Sequence, residues 1–110
     1  MTESHNTRVR LLNDQLRQTG VGGQVLITRG VQALGPEGLA GVVQAVRVFD
    51  DFNADNDPYG EHDFAVLRVE GVEVIFKIDY YDLDMDSMSP DPSDPAVTRR
   101  VMTILLPAEY

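Results

Sequence analysis

The chain contains no cysteine. Disulfides, thiolate nucleophiles and cysteine-ligated zinc sites are therefore excluded, and a reducing compartment is compatible with the composition. No run approaches the ~18 apolar residues of a membrane-spanning helix. The opening Met-Thr-Glu-Ser-His-Asn is polar and lacks the apolar core of a secretory signal. A soluble cytoplasmic protein with no membrane partner is expected. Positive charge is also scarce, nine basic residues against eighteen carboxylates. Phosphate backbones are neutralised by clustered Lys and Arg, so direct nucleic-acid binding is not expected. There is no nucleophile elbow, phosphate-gripping glycine loop, His-Glu zinc helix or dinucleotide fingerprint.

What the chain does have is segregated charge. Between Asp50 and Asp94 lie fourteen carboxylates and only two cations, Arg68 and Lys77, whereas the flanking segments are mildly basic. Such a stretch matches a cationic protein surface better than a nucleic acid. With 110 residues and 43% apolar content, the chain has the size and hydrophobicity of a single folded domain, residues 1–110.

Taken in order, Asn6 is expected to cap a helix from about Thr7 to Gln18, with Val9, Leu12 and Leu16 as its apolar stripe and Arg8, Arg10, Asp14 and Arg17 largely outside it. Gly20, Gly22 and Gly23 stop it. Gln24 to Thr28 reads as a short strand whose unbroken apolar run suggests cover on both faces. Gly30 then begins a turn, and Pro36 starts a second helix on which Leu39, Val42, Val43, Val46 and Phe49 recur at helical spacing. Gly38 and Gly41 within it suggest close approach of another backbone. After an acidic loop at about 50–61, with Phe52 and Tyr59 as anchors, two strands follow, His62 to Val69 and Val72 to Tyr80, joined by a tight Glu70-Gly71 turn. A second acidic loop, about 82–95, is expected to be ordered at its ends with a mobile middle. A last strand runs from Arg100 to Leu106. This order predicts an α+β domain, two helices packed on one face of a three- or four-stranded, largely antiparallel sheet. The other sheet face is left exposed or free for a partner.

Two constellations carry possible chemistry. Asp51, Asn53, Asp55 and Asp57 alternate as in calcium loops, but with Asp51 as first ligand the sixth position is Asn56 rather than glycine and the twelfth His62 rather than glutamate, so the EF-hand pattern fails. A looser Mg²⁺ or Ca²⁺ site using Asp55, Asp57, His62 and Asp79 remains open. The second constellation is His62 and Asp63, expected across the hairpin from Asp79, Tyr80 and Tyr81. His62, Asp63, Asp79 and Tyr80 are the alternative catalytic set, suited to general acid–base work or to one ion in a hydrolase or nuclease-like site. The structural alternative is that Asp57, Asp63 or Asp79 ties the acidic loop down through backbone N–H groups while His62 and the tyrosines complete a polar network.

The segments Asn56-Asp57-Pro58-Tyr59-Gly60-Glu61-His62-Asp63-Phe64 and Phe76-Lys77-Ile78-Asp79-Tyr80-Tyr81-Asp82, with Asp94 to Leu105, resemble the shared motifs of a small bacterial family of unknown function, common in alphaproteobacteria and near mobile-element genes. The resemblance runs over nearly the whole chain. It implies a role similar to that of small inhibitors of host restriction or CRISPR defence. The residues themselves point the same way. Carboxylates along a rigid loop can imitate DNA phosphates and occupy an Arg- and Lys-lined groove. The partner-binding candidates are Asp50, Asp51, Asp55, Asp57, Glu61, Asp82, Asp84, Asp86, Asp91 and Asp94, and the expected partner is a basic nucleic-acid-binding protein or complex. A metal-dependent hydrolase and a non-catalytic oligomeric module are the alternatives.

Overall fold

The computed structural model describes residues 4–110; Glu3, counted in the charge of the N-terminal segment, lies outside them. Helix α1 spans His5–Thr19 and begins two residues earlier than the sequence suggests. Ser4, not Asn6, is its cap, accepting from Thr7 N, and Gly20 closes it in the left-handed conformation with its N–H on Leu16 O. Strand β1, Gln24–Ile27, leads into a one-turn helix α2, Arg29–Gln32, where a plain turn is expected, because Val31 there is fully buried in the core. Helix α3, Gly35–Val48, carries the anticipated apolar face, with Val42 and Val46 buried.

Strands β2, Phe64–Val69, and β3, Val72–Tyr81, form the expected hairpin. Glu70 and Gly71 both have positive φ, 50° and 83°, the backbone that a two-residue hairpin turn requires. Strand β4, Arg99–Leu105, and a 3₁₀ turn, Pro107–Glu109, complete the domain. The sheet order is β1-β4-β3-β2, antiparallel except for the parallel β1–β4 pair. The result is a small α+β domain whose helices pack on one face of a mixed, largely antiparallel four-stranded sheet.

Alternation sorts the strands as their sequences foretell. Ala65, Val74, Phe76, Ile78, Met102 and Ile104 face the helices and join Leu16, Val42 and Val46 in the core. Two expectations fail. β1 is not covered on both faces: it is an edge strand with Val25 and Leu26 exposed, and only Ile27 packs against the core. Gly38 and Gly41 meet no second backbone, a Cβ there reaching only Leu34 Cβ and Val69 Cγ1. The close approach is at Gly23, whose missing Cβ leaves room for the Arg100 carbonyl. Among the described residues no helix is long and apolar enough to cross a membrane.

Candidate functional site

Both acidic loops attach to the same end of the sheet, where β2 begins, β3 ends and β4 begins, since Phe64 pairs with Lys77 and Tyr81 with Arg99. Beneath them α1 presents polar side chains where an apolar stripe would ordinarily continue. Asn13 is completely buried. Its Nδ2 donates to Glu61 O at 3.0 Å and to the Tyr80 hydroxyl at 2.8 Å, and its Oδ1 accepts from Arg100 Nε at 2.7 Å. The Tyr80 hydroxyl in turn donates to Glu61 Oε1 at 2.8 Å. Burial pushes that hydroxyl's pKa well up, which keeps it a neutral donor. Arg100, also buried, lies with its guanidinium 5.2 Å from the Tyr80 ring centre and donates to Pro92 O in the second loop. Burial pulls its pKa down, opposed by Tyr80 and Glu61. One asparagine thus joins helix, sheet and both loops.

One turn along α1, Arg17 is 2% exposed. Its Nη1 donates to the carbonyls of Val46, Arg47 and Phe49, closing the end of α3, and its Nη2 to Asp14 Oδ1 at 3.0 Å. A cation is favourable at a helix C-terminus, where carbonyls are left without intrahelical partners. The same Asp14 oxygen lies 2.8 Å from His62 Nδ1. A carboxylate only accepts, so Nδ1 carries the proton. His62 stacks on Phe52 at 3.9 Å and 7°, and Phe52 packs edge-on against Phe49 and Phe76. Phe52 is therefore the loop anchor that the sequence suggests. Tyr59 is not, since its residue is 73% exposed, although its carbonyl accepts from Asn6 Nδ2.

His62 has φ 56°. That left-handed turn ends the strand two residues short of the expected start and swings the imidazole to the helix side, away from Asp79. Asp57 Oδ1 accepts from the backbone N–H of both Glu61 and His62, tying the loop down as the structural alternative anticipates. Its Oδ2 lies 3.6 Å from His62 Nε2, beyond hydrogen-bond range. A histidine base with an orienting carboxylate needs a nucleophile or substrate at its other nitrogen; here that nitrogen faces a carboxylate.

Asp79 belongs to the opposite face, paired with Lys77 at 2.7 Å. Asp63 shares with it an open concavity of about 460 Å³, and Tyr80 points the other way, into the Asn13 network. Asp55 is exposed in the loop. His62, Asp63 and Asp79 therefore do not converge, and neither do Asp55, Asp57, His62 and Asp79; among the described residues no three His, Asp or Glu side chains gather as metal ligands would. Burial, helped by Glu61, raises the Asp63 carboxyl pKa above its ordinary 3.8. A carboxyl that binds its proton more tightly when folded loses stability as pH rises above its unfolded value. Asp63→Asn is accordingly expected to raise the thermal midpoint at pH 7 and to give no gain below about pH 3.5. Unfolding curves at the two pH values check this; an equal gain at both would assign the effect to something other than ionisation.

The second loop is built as tightly. Tyr81 bridges Met88, Asp82 N donates to Ser87 O, and Asp86 N to Asp82 Oδ1. These contacts close the middle of the loop, where mobility is expected, into a hydrogen-bonded turn. Further along, Ser89 Oγ lies 2.7 Å from Thr98 Oγ1, which donates to Asp91 O, while Ser93 gives both its N–H and its hydroxyl to Asp91 Oδ1. The Ser93 hydroxyl is the main reason the Asp91 pKa is lowered, and His5, 3.3 Å away, adds to it.

The ten candidate carboxylates divide accordingly. Asp50, Asp51, Asp55, Asp84 and Asp86 are exposed. Glu61, Asp82, Asp91 and Asp94 are partly buried and engaged within the fold, Asp94 through Ala96 N. Asp57, with a side chain only 6% exposed, is a structural member of the network. Sequence reading missed Asn13, Arg17 and Arg100. Asn13 had a signal: it falls four residues after Val9 and three before Leu16, a polar residue within the apolar stripe.

No curated protein and no solved structure matches the chain. One family pattern does match, from Ile27 at the end of β1 to Glu109, and so takes in both loops, His62, Tyr80 and Arg100 but not α1 with Asn13 and Arg17. On that match, over residues 27–109, the chain belongs to the family described as "Protein of unknown function (DUF3768)".

Proposed function

We propose that the protein is an acidic protein-binding inhibitor that presents Asp50, Asp51, Asp55, Asp84 and Asp86 to a basic groove on a nucleic-acid-binding partner, in place of DNA phosphates. The observation that carries this reading is the combination just described. Two acidic loops flank one end of the sheet, each is locked by side-chain-to-backbone hydrogen bonds, and five carboxylates stand outward from them. Preorganised charge of one sign steers encounter with an oppositely charged surface and costs little ordering entropy on binding. The mobile-element association that the family resemblance implies directs the reading towards an anti-defence role, with a restriction enzyme or CRISPR effector complex as the partner. The hydrolase alternative receives less support, because His62 is held between Asp14 and Asp57 while Asp79 pairs with Lys77 on the opposite face.

The test is displacement of labelled DNA from such partners. The wild-type chain is expected to compete with DNA, with potency falling steeply as salt rises. Changing the five exposed aspartates to asparagine is expected to weaken competition by roughly tenfold or more. Competition that survives both high salt and the five substitutions would remove charge imitation as the mechanism.

A further inference from the structure

The sheet has two outer edges, β1 and β2, and they are not alike. Ile78 N donates to Asp63 O, so alternation turns the main-chain groups of Phe64, Val66 and Arg68 outward on β2. That edge is guarded by charge: Arg68 pairs with Glu73 at 3.1 Å, and Asp63 and Glu70 flank the strand. β1, by contrast, carries no charged residue, no proline and no bulge. Thr28 N donates to Ile104 O across the β1–β4 pair, which turns the main-chain groups of Val25 and Ile27 away from β4 to the open side. Ile27 O accepts from Gln32 Nε2 at 2.7 Å and keeps a second lone pair.

Apolar surface is gathered at the same edge. Val21, Val25 and Leu26 are exposed, and the exposed Leu83 and Met85 border Gln24, the first residue of the strand. On the helix side an open groove of about 320 Å³ runs between Val25 and Ile27 of β1 and Val43 and Val46 of α3, over Met102 and Ile104. An unguarded edge beside apolar side chains is a template for a further strand.

Charge decides which strand. Near Gln24 the second loop brings Asp82, Asp84 and Asp86, with Arg99 as the neighbouring cation. Beyond Ile27, Arg29 has beside it Glu109, whose Oε2 accepts from Gly30 N, and Arg47 borders the groove. The edge is thus acidic at its Gln24 end and balanced at the other. An acidic segment is repelled at the first end, and a basic one meets Arg47 and Arg29 along the rest. A parallel copy of β1 would set two acidic ends together. An antiparallel copy sets them at opposite extremities and lays each Arg29 towards the 82–86 turn of the other molecule. The uncharged strand itself holds nothing that repels its duplicate.

We propose that two copies of the chain join antiparallel through β1, centred on Val25, merging two four-stranded sheets into one about a two-fold axis perpendicular to the sheet. Val25 then exchanges its N–H and C=O with Val25 of the second copy, and Ile27 lies opposite Gly23. Both valines fall side by side on the helix face, so each copy closes the groove of the other. Such an isologous contact is closed, leaving no free β1 edge to recruit a third molecule. The inference is independent of charge imitation by the loops.

Sedimentation equilibrium of the full chain over a range of concentrations tests it. The 12.2 kDa chain is expected to double in mass as concentration rises and to go no further. A Kd in the micromolar range is expected, because a strand of four residues a side makes a small interface. The amides of Val25 and Ile27 should gain exchange protection over the same range. Val25→Pro removes an outward N–H but no bond to β4, and should weaken the dimer at least about tenfold. Val66→Pro, the matching change at the β2 edge, should leave the dimer intact. Should Val25→Pro fail to fold, Val25→Asp, which sets two carboxylates against each other at the two-fold axis, is expected to give the same loss. A chain still monomeric at ~1 mM, a dimer whose Val25 and Ile27 amides stay unprotected, or equal losses from the β1 and β2 substitutions would overturn the proposal. So would open-ended growth, the product of pairing β1 with β2.

Discussion

Arg17→Ala is expected to lower the free energy of unfolding by about 3–5 kcal/mol, the cost of breaking a buried charged network by removing one member. The guanidinium serves three carbonyls at the end of α3 and the Asp14 carboxylate, and lies 5.3 Å and 5.8 Å from the ring centres of Phe52 and Phe76. Alanine leaves the carbonyls without a donor, deprives Asp14 of a counterion and opens a void between two rings. The thermal midpoint should fall by roughly 12 °C or more, given 4–8 °C per kcal/mol for a domain of this size. Arg17→Lys should recover only part of the loss, since one ammonium on a flexible stem cannot reproduce the planar fork. Urea unfolding measures both, and a loss under about 1 kcal/mol for alanine would show that the network contributes no more than a surface pair.

The second large effect is expected at Asn13, through the loops rather than through α3. Asn13→Ala removes the acceptor for Arg100 Nε and the donor for Glu61 O and Tyr80 Oη together. Each buried group left unpaired costs about 1–3 kcal/mol, so a total loss near 2–4 kcal/mol is expected, allowing for partial relaxation. Amide exchange should separate this variant from Arg17→Ala. Protection should fall in both loops around Glu61 and Pro92 for Asn13→Ala, and mainly around Val46 to Phe49 for Arg17→Ala. Identical exchange maps would mean that the two residues act only on global stability.

The sequence made the architecture legible where side chains alternate or recur without interruption. The faces of β2 follow directly from Ala65, Leu67 and Val69 against Phe64, Val66 and Arg68, and those of β3 from Val74, Phe76 and Ile78 against Glu73, Lys77 and Asp79. α3 follows from Leu39, Val42 and Val46. The edge position of β1 was not legible, because Val25-Leu26-Ile27 has the composition of a buried strand and only the sheet order places it at the flank, where Ile27 packs against the core while Val25 and Leu26 stay exposed. The site was half legible. Its residues His62, Asp57 and Tyr80 stood out, and Asp57 holds the loop backbone as the structural alternative has it, yet the positive φ of His62 separates it from Asp79, and strand alternation carries no hint of such a turn. The partner of His62 is Asp14, 48 residues earlier. The spacing of Asp14 and Arg17 on α1 suggests a surface pair worth a few tenths of a kcal/mol. Burial under the Phe52 loop makes it the centre of a network, and that depends on contacts distant in sequence.

The account rests on the acidic loops being held as firmly as the sheet they border. Backbone ¹⁵N relaxation on the full chain measures this directly for Asp51 to Asp57 and for Asp82 to Asp94. Order parameters near 0.85, matching β3, are expected in both segments; values below about 0.6 across either loop would contradict a rigid display of charge.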